Sequence, residues 1–144
     1  MTVATVMTSC PACCTPSSSL TEVARLMVDN DCGEIPVVED MKTRKLVGVI
    51  TDRDIATRIV AAGRNSAEAC ALDCMSTPAV SVNPETSLQE CCELMETRQI
   101  RRVPVVDDKG GVVGIVSLAD VVRSANSATT VAVVKEVSSG LERG

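Results

Sequence analysis

Apolar residues recur at helical spacing in two places, at Leu20, Val23, Leu26 and Met27 and again at Leu88, Cys91, Leu94 and Met95. Each run predicts an amphipathic helix. Both open on Ser-Leu-x-Glu, with Ser19 three residues before Glu22 and Ser87 three before Glu90, the spacing of a capping box. Short β-branched runs follow at 35–38 and 103–106, and after turn-rich segments at 46–50 and 112–116, which predict strands. Shorter extended pieces at 12–14 and 79–82 precede the helices, and Thr51-x-x-Asp54 and Ser117-x-x-Asp120 open a second helix after the last strand of each run. The order is β-α-β-β-α, twice, an α/β (α+β) pattern.

The two runs are one unit repeated. At an offset of 68, residues 6–40 align with 74–108 without a gap, pairing Met7 with Met75, Pro16 with Pro84, Leu26-Met27 with Leu94-Met95, and Pro36-Val37-Val38 with Pro104-Val105-Val106. A two-residue difference in the hairpin changes the offset to 66, where 47–51 faces 113–117 and Asp54 faces Asp120. A unit of about 60 residues buries too little surface to stand comfortably alone, so the copies are expected to pack face to face with pseudo-two-fold symmetry. The expected division is copy one over 1–62, a linker over 63–73, copy two over 74–126 and a tail over 127–144. The tail, with Val131, Val133, Val134 and Val137, is expected to cover one of the copies.

Composition narrows the chemistry. The 144 residues include no Phe, Tyr, Trp or His, so the core must be filled by aliphatic residues, Met and Cys. No ring is available to stack nucleobases, and Ser-His-Asp catalysis and His-containing metal sites are excluded. A formal charge of −5 gives no long-range attraction to nucleic acid or to an anionic membrane. No apolar run reaches the roughly 18 residues of a membrane span, and the first residues lack the basic flank and apolar core of a secretory signal. A cytoplasmic protein is the expectation, with its eight cysteines reduced.

The ordered motifs Val-Met-Thr and Cys-Met-Ser, Glu-Ile-Pro-Val-Val-Glu-Asp and Arg-Val-Pro-Val-Val-Asp-Asp, and Gly-Val-Ile-Thr-Asp-Arg-Asp and Gly-Ile-Val-Ser-Leu-Ala-Asp carry a family resemblance over roughly residues 3–125. The chain resembles a tandem pair of cystathionine-β-synthase (CBS) domains, the Bateman module. That resemblance implies a non-enzymatic regulatory module that binds an adenosine-containing ligand (AMP, ADP, ATP, NAD or S-adenosylmethionine) in the cleft between copies. It also implies a homodimer, and an output through dimer contacts or an unknown protein partner. The Ser/Thr-x-x-Asp spacing fits this: a hydroxyl at a helix N-terminus meets free backbone N–H groups that suit a phosphate, and the carboxylate one turn on can accept both ribose hydroxyls. The same spacing is also that of a plain helix cap.

Carried over residue by residue, the resemblance implies two unequal pockets. The first takes Ile115, Ser117 and Asp120 from copy two with Arg101 and Arg102 as phosphate partners, closed by Thr8, Cys10, Ala12, Cys32 and Gly33 of copy one around the adenine. The second takes Val49, Thr51 and Asp54 with Ser76, Pro78, Val80 and Ile100. Copy one has Glu34 where copy two has Arg102, which disfavours polyphosphate in the second pocket unless Arg53 supplies the charge. No catalytic residue and no metal ligand is assigned.

The cysteines offer a rival reading. Cys10-Pro-Ala-Cys13 has the spacing of half a thiolate metal site or of a dithiol switch. The repeat serves as a control: Cys14, Cys32, Cys74, Cys91 and Cys92 each align with an apolar residue of the other copy and read as small hydrophobes. Cys10, Cys13 and Cys70 remain, one short of a four-ligand site. A metal or redox sensor, or an adaptor without ligand, is therefore the alternative function.

Overall fold

The computed structural model describes residues 1–126, and the tail with its four valines lies outside the described residues. Copy one consists of α1 (Leu20–Asp29), the antiparallel pair β2 (Glu34–Val38) and β3 (Leu46–Thr51), and α2 (Asp52–Ile55), which continues into a π-helical turn at Ala56–Val60. Copy two repeats this as α3 (Leu88–Arg98), β4 (Arg102–Val106), β5 (Val112–Ser117) and α4, helical over 118–126. The apolar stripes face inward as their spacing predicts: Leu20, Val23 and Met27 are buried on α1, and Cys91 and Met95 on α3. The short extended pieces before these helices shrink to single parallel bridges, Cys14 to Val37 and Val82 to Val105.

The capping chemistry is distributed differently from its sequence signature. Ser19 and Ser87 accept the amides of Glu22 and Glu90, at 3.1 and 3.0 Å, which is one half of the box. The reciprocal box forms at the second helices. There the Thr51 and Ser117 hydroxyls accept the amides of Asp54 and Asp120, and each Asp carboxylate accepts the amide of its N-cap residue in return.

The copies also exchange their leading segments. A two-residue strand at Thr8–Ser9 (β1) adds to copy two's sheet in the order β1-β5-β4, with Thr8 opposite Ile115. Its mate Ser76 pairs with Val49 of copy one through amide bonds of 2.8 and 3.1 Å in the two directions. Val3, Val6 and Met7 pack into the core of copy two, whereas Ala69, Ala71, Cys74 and Met75 pack into that of copy one. Gly48 and Gly114 permit the crossings. A Cβ on Gly48 would lie 2.9 Å from the Ser76 carbonyl oxygen, and one on Gly114 would meet Met7 and lie 3.1 Å from the Thr8 carbonyl oxygen. A third cluster of Cys13, Val38 and Val112 joins the copies, beside the Lys45 to Gly111 bridge.

Candidate functional site

The first predicted site is built where β5 ends, β4 begins and β1 crosses. Antiparallel register sets Arg102 opposite Ser117 and Thr8 opposite Ile115, and the turn after β5 caps α4 with Ser117 and Asp120. These side chains enclose a cavity of about 250 Å³ between the copies. Thr8, Ala12, Cys32, Arg102, Ile115, Ser117 and Asp120 all line it, so seven of the ten residues assigned to the first site converge. Cys10, Gly33 and Arg101 stand outside the lining. Gly33 is turned against α2: its carbonyl accepts the Asp52 amide at 2.9 Å, and a Cβ there would come within 2.9 Å of the Asp52 carboxylate. Arg101 occupies the matching place in copy two, its carbonyl accepting the Leu118 amide at 2.8 Å while its side chain is exposed.

Four further residues complete the wall, namely Pro11, Asn30, Asp31 and Glu34. Asp31 gets there through a left-handed backbone (φ 49°) after α1, repeated at Gln99 (φ 54°) after α3. Asn30-Asp31 just before Cys32 was the available sequence signal, since polar residues that tolerate positive φ mark such turns. Glu34 is the larger surprise, because repeat alignment assigned it to the other site. It begins β2 as Arg102 begins β4, and both reach the same cavity.

The electrostatics follow from that convergence. Asp31, Glu34 and Asp120 line the cavity against one cation, Arg102. Glu34 is 9% exposed, and its Oε2 has no hydrogen-bond partner. Burial pushes its pKa up to about 7; Arg102 pulls it down and Asp54 adds repulsion, so the carboxyl lies within the field of both sites. Asp120 is bonded on its outer oxygen by Arg123.

Of the second set, Val49, Thr51, Asp54 and Ser76 come together and bond one another. The Asp54 carboxylate accepts the Thr51 amide at 3.0 Å and lies 3.4 and 3.5 Å from the Ser76 hydroxyl. Arg58, one helical turn on, approaches Asp54 at 3.9 Å and donates to the carbonyls of Cys74 (3.0 Å) and Met75 (3.3 Å). Arg53, the cation expected here, is exposed on α2. Val49 is paired with Ser76, Ile100 packs against copy two's core, and Val80 is half-buried beside the exposed Pro78.

The thiols divide as the repeat comparison suggests, with one correction. Cys14, Cys74 and Cys91 are buried, and burial raises their pKa values, that of Cys14 to about 12. Cys32 and Cys92 pack half-buried against the cores. Cys13, expected outside the core, is buried at the junction of the copies, and its thiol is also raised by burial. Its repeat mate Ser81 is exposed, a difference produced by the longer first hairpin, whose Arg44 donates to the Pro11 carbonyl (2.7 Å) and approaches the Cys13 sulfur (3.2 Å). Cys10 is exposed and Cys70 half-buried. Among the described residues, no cluster of three or more His, Cys, Asp or Glu side chains is arranged to hold a metal ion, and no helix is long and apolar enough to cross a membrane.

Comparison with known proteins bears on the fold and the family. A family model for the CBS domain matches twice, at residues 3–61 and 71–127. The chain is 44% identical over 114 residues to the CBS domain-containing protein YhcV of Bacillus subtilis, covering 79% of this chain and 78% of that one. The solved Hypoxic Response Protein I, with two coordinated zinc ions, superposes with a TM-score of 0.75 at 35% identity over 86% of this chain and 98% of its own. The CBS domain pair of protein MJ0100, in complex with 5′-methylthioadenosine and S-adenosylmethionine, gives 0.76 at 26% identity over 89% and 98%. CBSX2 from Arabidopsis thaliana, in complex with AMP, gives 0.74 at 28% over 89% and 98%.

Proposed function

Because the chain belongs to the CBS domain family as a tandem pair, we propose that it is a non-enzymatic sensor that binds one adenosine-containing ligand in the cavity between its copies. The observation that carries this is the convergence of Thr8, Ala12 and Cys32 from copy one with Arg102, Ile115, Ser117 and Asp120 from copy two around about 250 Å³. A ligand there bridges both copies and biases their packing. The adenine lies between aliphatic walls, the ribose hydroxyls meet Asp120, and the N-terminus of α4 with Arg102 receives the 5′ substituent. The adenosine ligands of the MJ0100 pair and of CBSX2 support the ligand class.

The output runs through a homodimer. An apolar groove formed by Ala24 and Val28 of α1 with Ile55 and Val60 supports this, Val28 and Val60 being 78% and 65% exposed. The sensor acts in the cytoplasm, on a partner protein or through its own assembly. The zinc of Hypoxic Response Protein I does not favour a metal reading here, since Cys13, Cys14, Cys74 and Cys91, half of the thiols, are buried and raised by burial.

The test is isothermal titration with AMP, ADP, ATP, NAD and S-adenosylmethionine, backed by thermal shift, since a ligand that binds only the folded state raises its stability. One ligand per chain is expected, with binding lost in Asp120→Asn, which keeps an acceptor for the helix cap. A response to none of the five would overturn the reading.

A further inference from the structure

Glu34 Oε2 is, among the described residues, a buried carboxylate oxygen with no partner, and its side chain lines the cavity. An unpaired buried acceptor costs about 1–3 kcal/mol, so its persistence points to a donor that arrives with a ligand. The surrounding charge has the same sign. Asp31 stands with Glu34 against Arg102, while Asp120 is already paired from outside the wall by Arg123, and Arg101, the second cation a phosphate chain would use, is outside the wall. In a partly desolvated cleft, carboxylates beside a phosphate chain oppose its binding while they attract a cation.

We propose that Glu34 is a specificity-determining residue of this cavity, selecting an adenosine whose 5′ substituent carries a positive charge or hydrogen-bond donors, of the sulfonium or ammonium class, over one that carries phosphates. This rests on the adenosine reading above and deepens it. Arg102 then has a different part from the one its sequence position suggests: it offsets the acids and meets the carboxylate of a zwitterionic substituent, instead of anchoring a phosphate chain.

The experiment titrates wild type and Glu34→Gln at pH 8 with S-adenosylmethionine, 5′-methylthioadenosine, AMP, and ATP with and without Mg²⁺. Wild type is expected to bind S-adenosylmethionine at least about tenfold more tightly than AMP or ATP, the worth of one charge-assisted hydrogen bond. Glu34→Gln should weaken S-adenosylmethionine about tenfold, tighten AMP and ATP, and leave the uncharged methylthioadenosine within about twofold. Glu34→Met, of similar size and without the carboxyl, should shift the same ligands in the same directions. Tighter binding of AMP or ATP than of S-adenosylmethionine by wild type, or an equal shift of all ligands in both variants, would overturn the selection while leaving the adenosine site standing. Failure of every ligand to bind wild type would remove both.

Discussion

The two candidate sites are built from one repeated motif, yet their polar groups find different partners. Both have a hydroxyl cap, an Asp one turn later and a crossing segment from the opposite copy. In copy one the crossing residue Ser76 lies within reach of Asp54, and Arg58 closes over the Cys74 and Met75 carbonyls. In copy two the crossing residue Thr8 leaves Asp120 facing a cavity, and Arg123 holds that carboxylate from outside. The strand-opening pair is inverted as well, Glu34 against Arg102, and both lean into the same cavity. A duplicated fold therefore need not duplicate its sites: a few side chains at matched positions decide which half keeps an unmet polar group.

The largest effect expected from breaking this contrast comes at the crossings. Gly114→Val drives a side chain into Met7 and the Thr8 carbonyl, and Gly48→Val into the Ser76 carbonyl. Each should cost about 3 kcal/mol, about 10 °C in Tm by calorimetry. Only Gly114→Val displaces a wall of the cavity, so ligand binding should disappear there and survive in Gly48→Val; equal losses of binding would make the sites equivalent.

Next is Glu34. Its folded pKa of about 7 stands above the ordinary 4.5, so the folded state holds a proton that the unfolded chain has released between those values. The contribution of Glu34 is therefore fully present below pH 4.5 and is lost as pH rises through 7. Glu34→Gln removes the titration, and its Tm advantage over wild type at pH 8 should exceed that at pH 5 by several degrees, about 2 kcal/mol. An advantage independent of pH would mean that Glu34 ionises as freely as a surface carboxyl.

The smallest effect sharpens the comparison most cleanly. Ser117→Ala and Thr51→Ala each remove a cap worth about 1 kcal/mol and should lower Tm alike. Titration should show weakened ligand binding for Ser117→Ala alone.

Much of this architecture is legible in the sequence because it is local. The stripes at Leu20, Val23 and Met27 and at Cys91 and Met95, and the β-branched strands, are fixed by spacing alone, and the helices and strands begin within a residue or two of where spacing sets them. Seven of the ten residues that the family resemblance assigned to the first site line one cavity, a placement carried by the resemblance and not by local spacing. What escapes is whatever depends on the axis between the copies. Repeat alignment assigns Glu34 to its own copy's site, but the fold brings the starts of β2 and β4 together at one cavity. It treats Gly48 and Gly114 as strand residues, whereas their bareness serves the crossing backbones of Ser76 and Thr8, beyond the reach of any local pattern. Cys13 and Ser81 align yet differ in burial, because the two-residue longer hairpin delivers Arg44 to only one of them. Two-residue β1 has no periodicity to detect.

The exchanged leading segments also order events during synthesis. Residues 1–9 are made before their partners, which run from Pro84 to Ile115. Copy one can close its core once Ala69 to Met75 has emerged, but Val3 must wait for a sheet not yet made. Contacts of such long sequence separation are slow to form. The closure of this leading segment is thereby tied to the completion of the second copy.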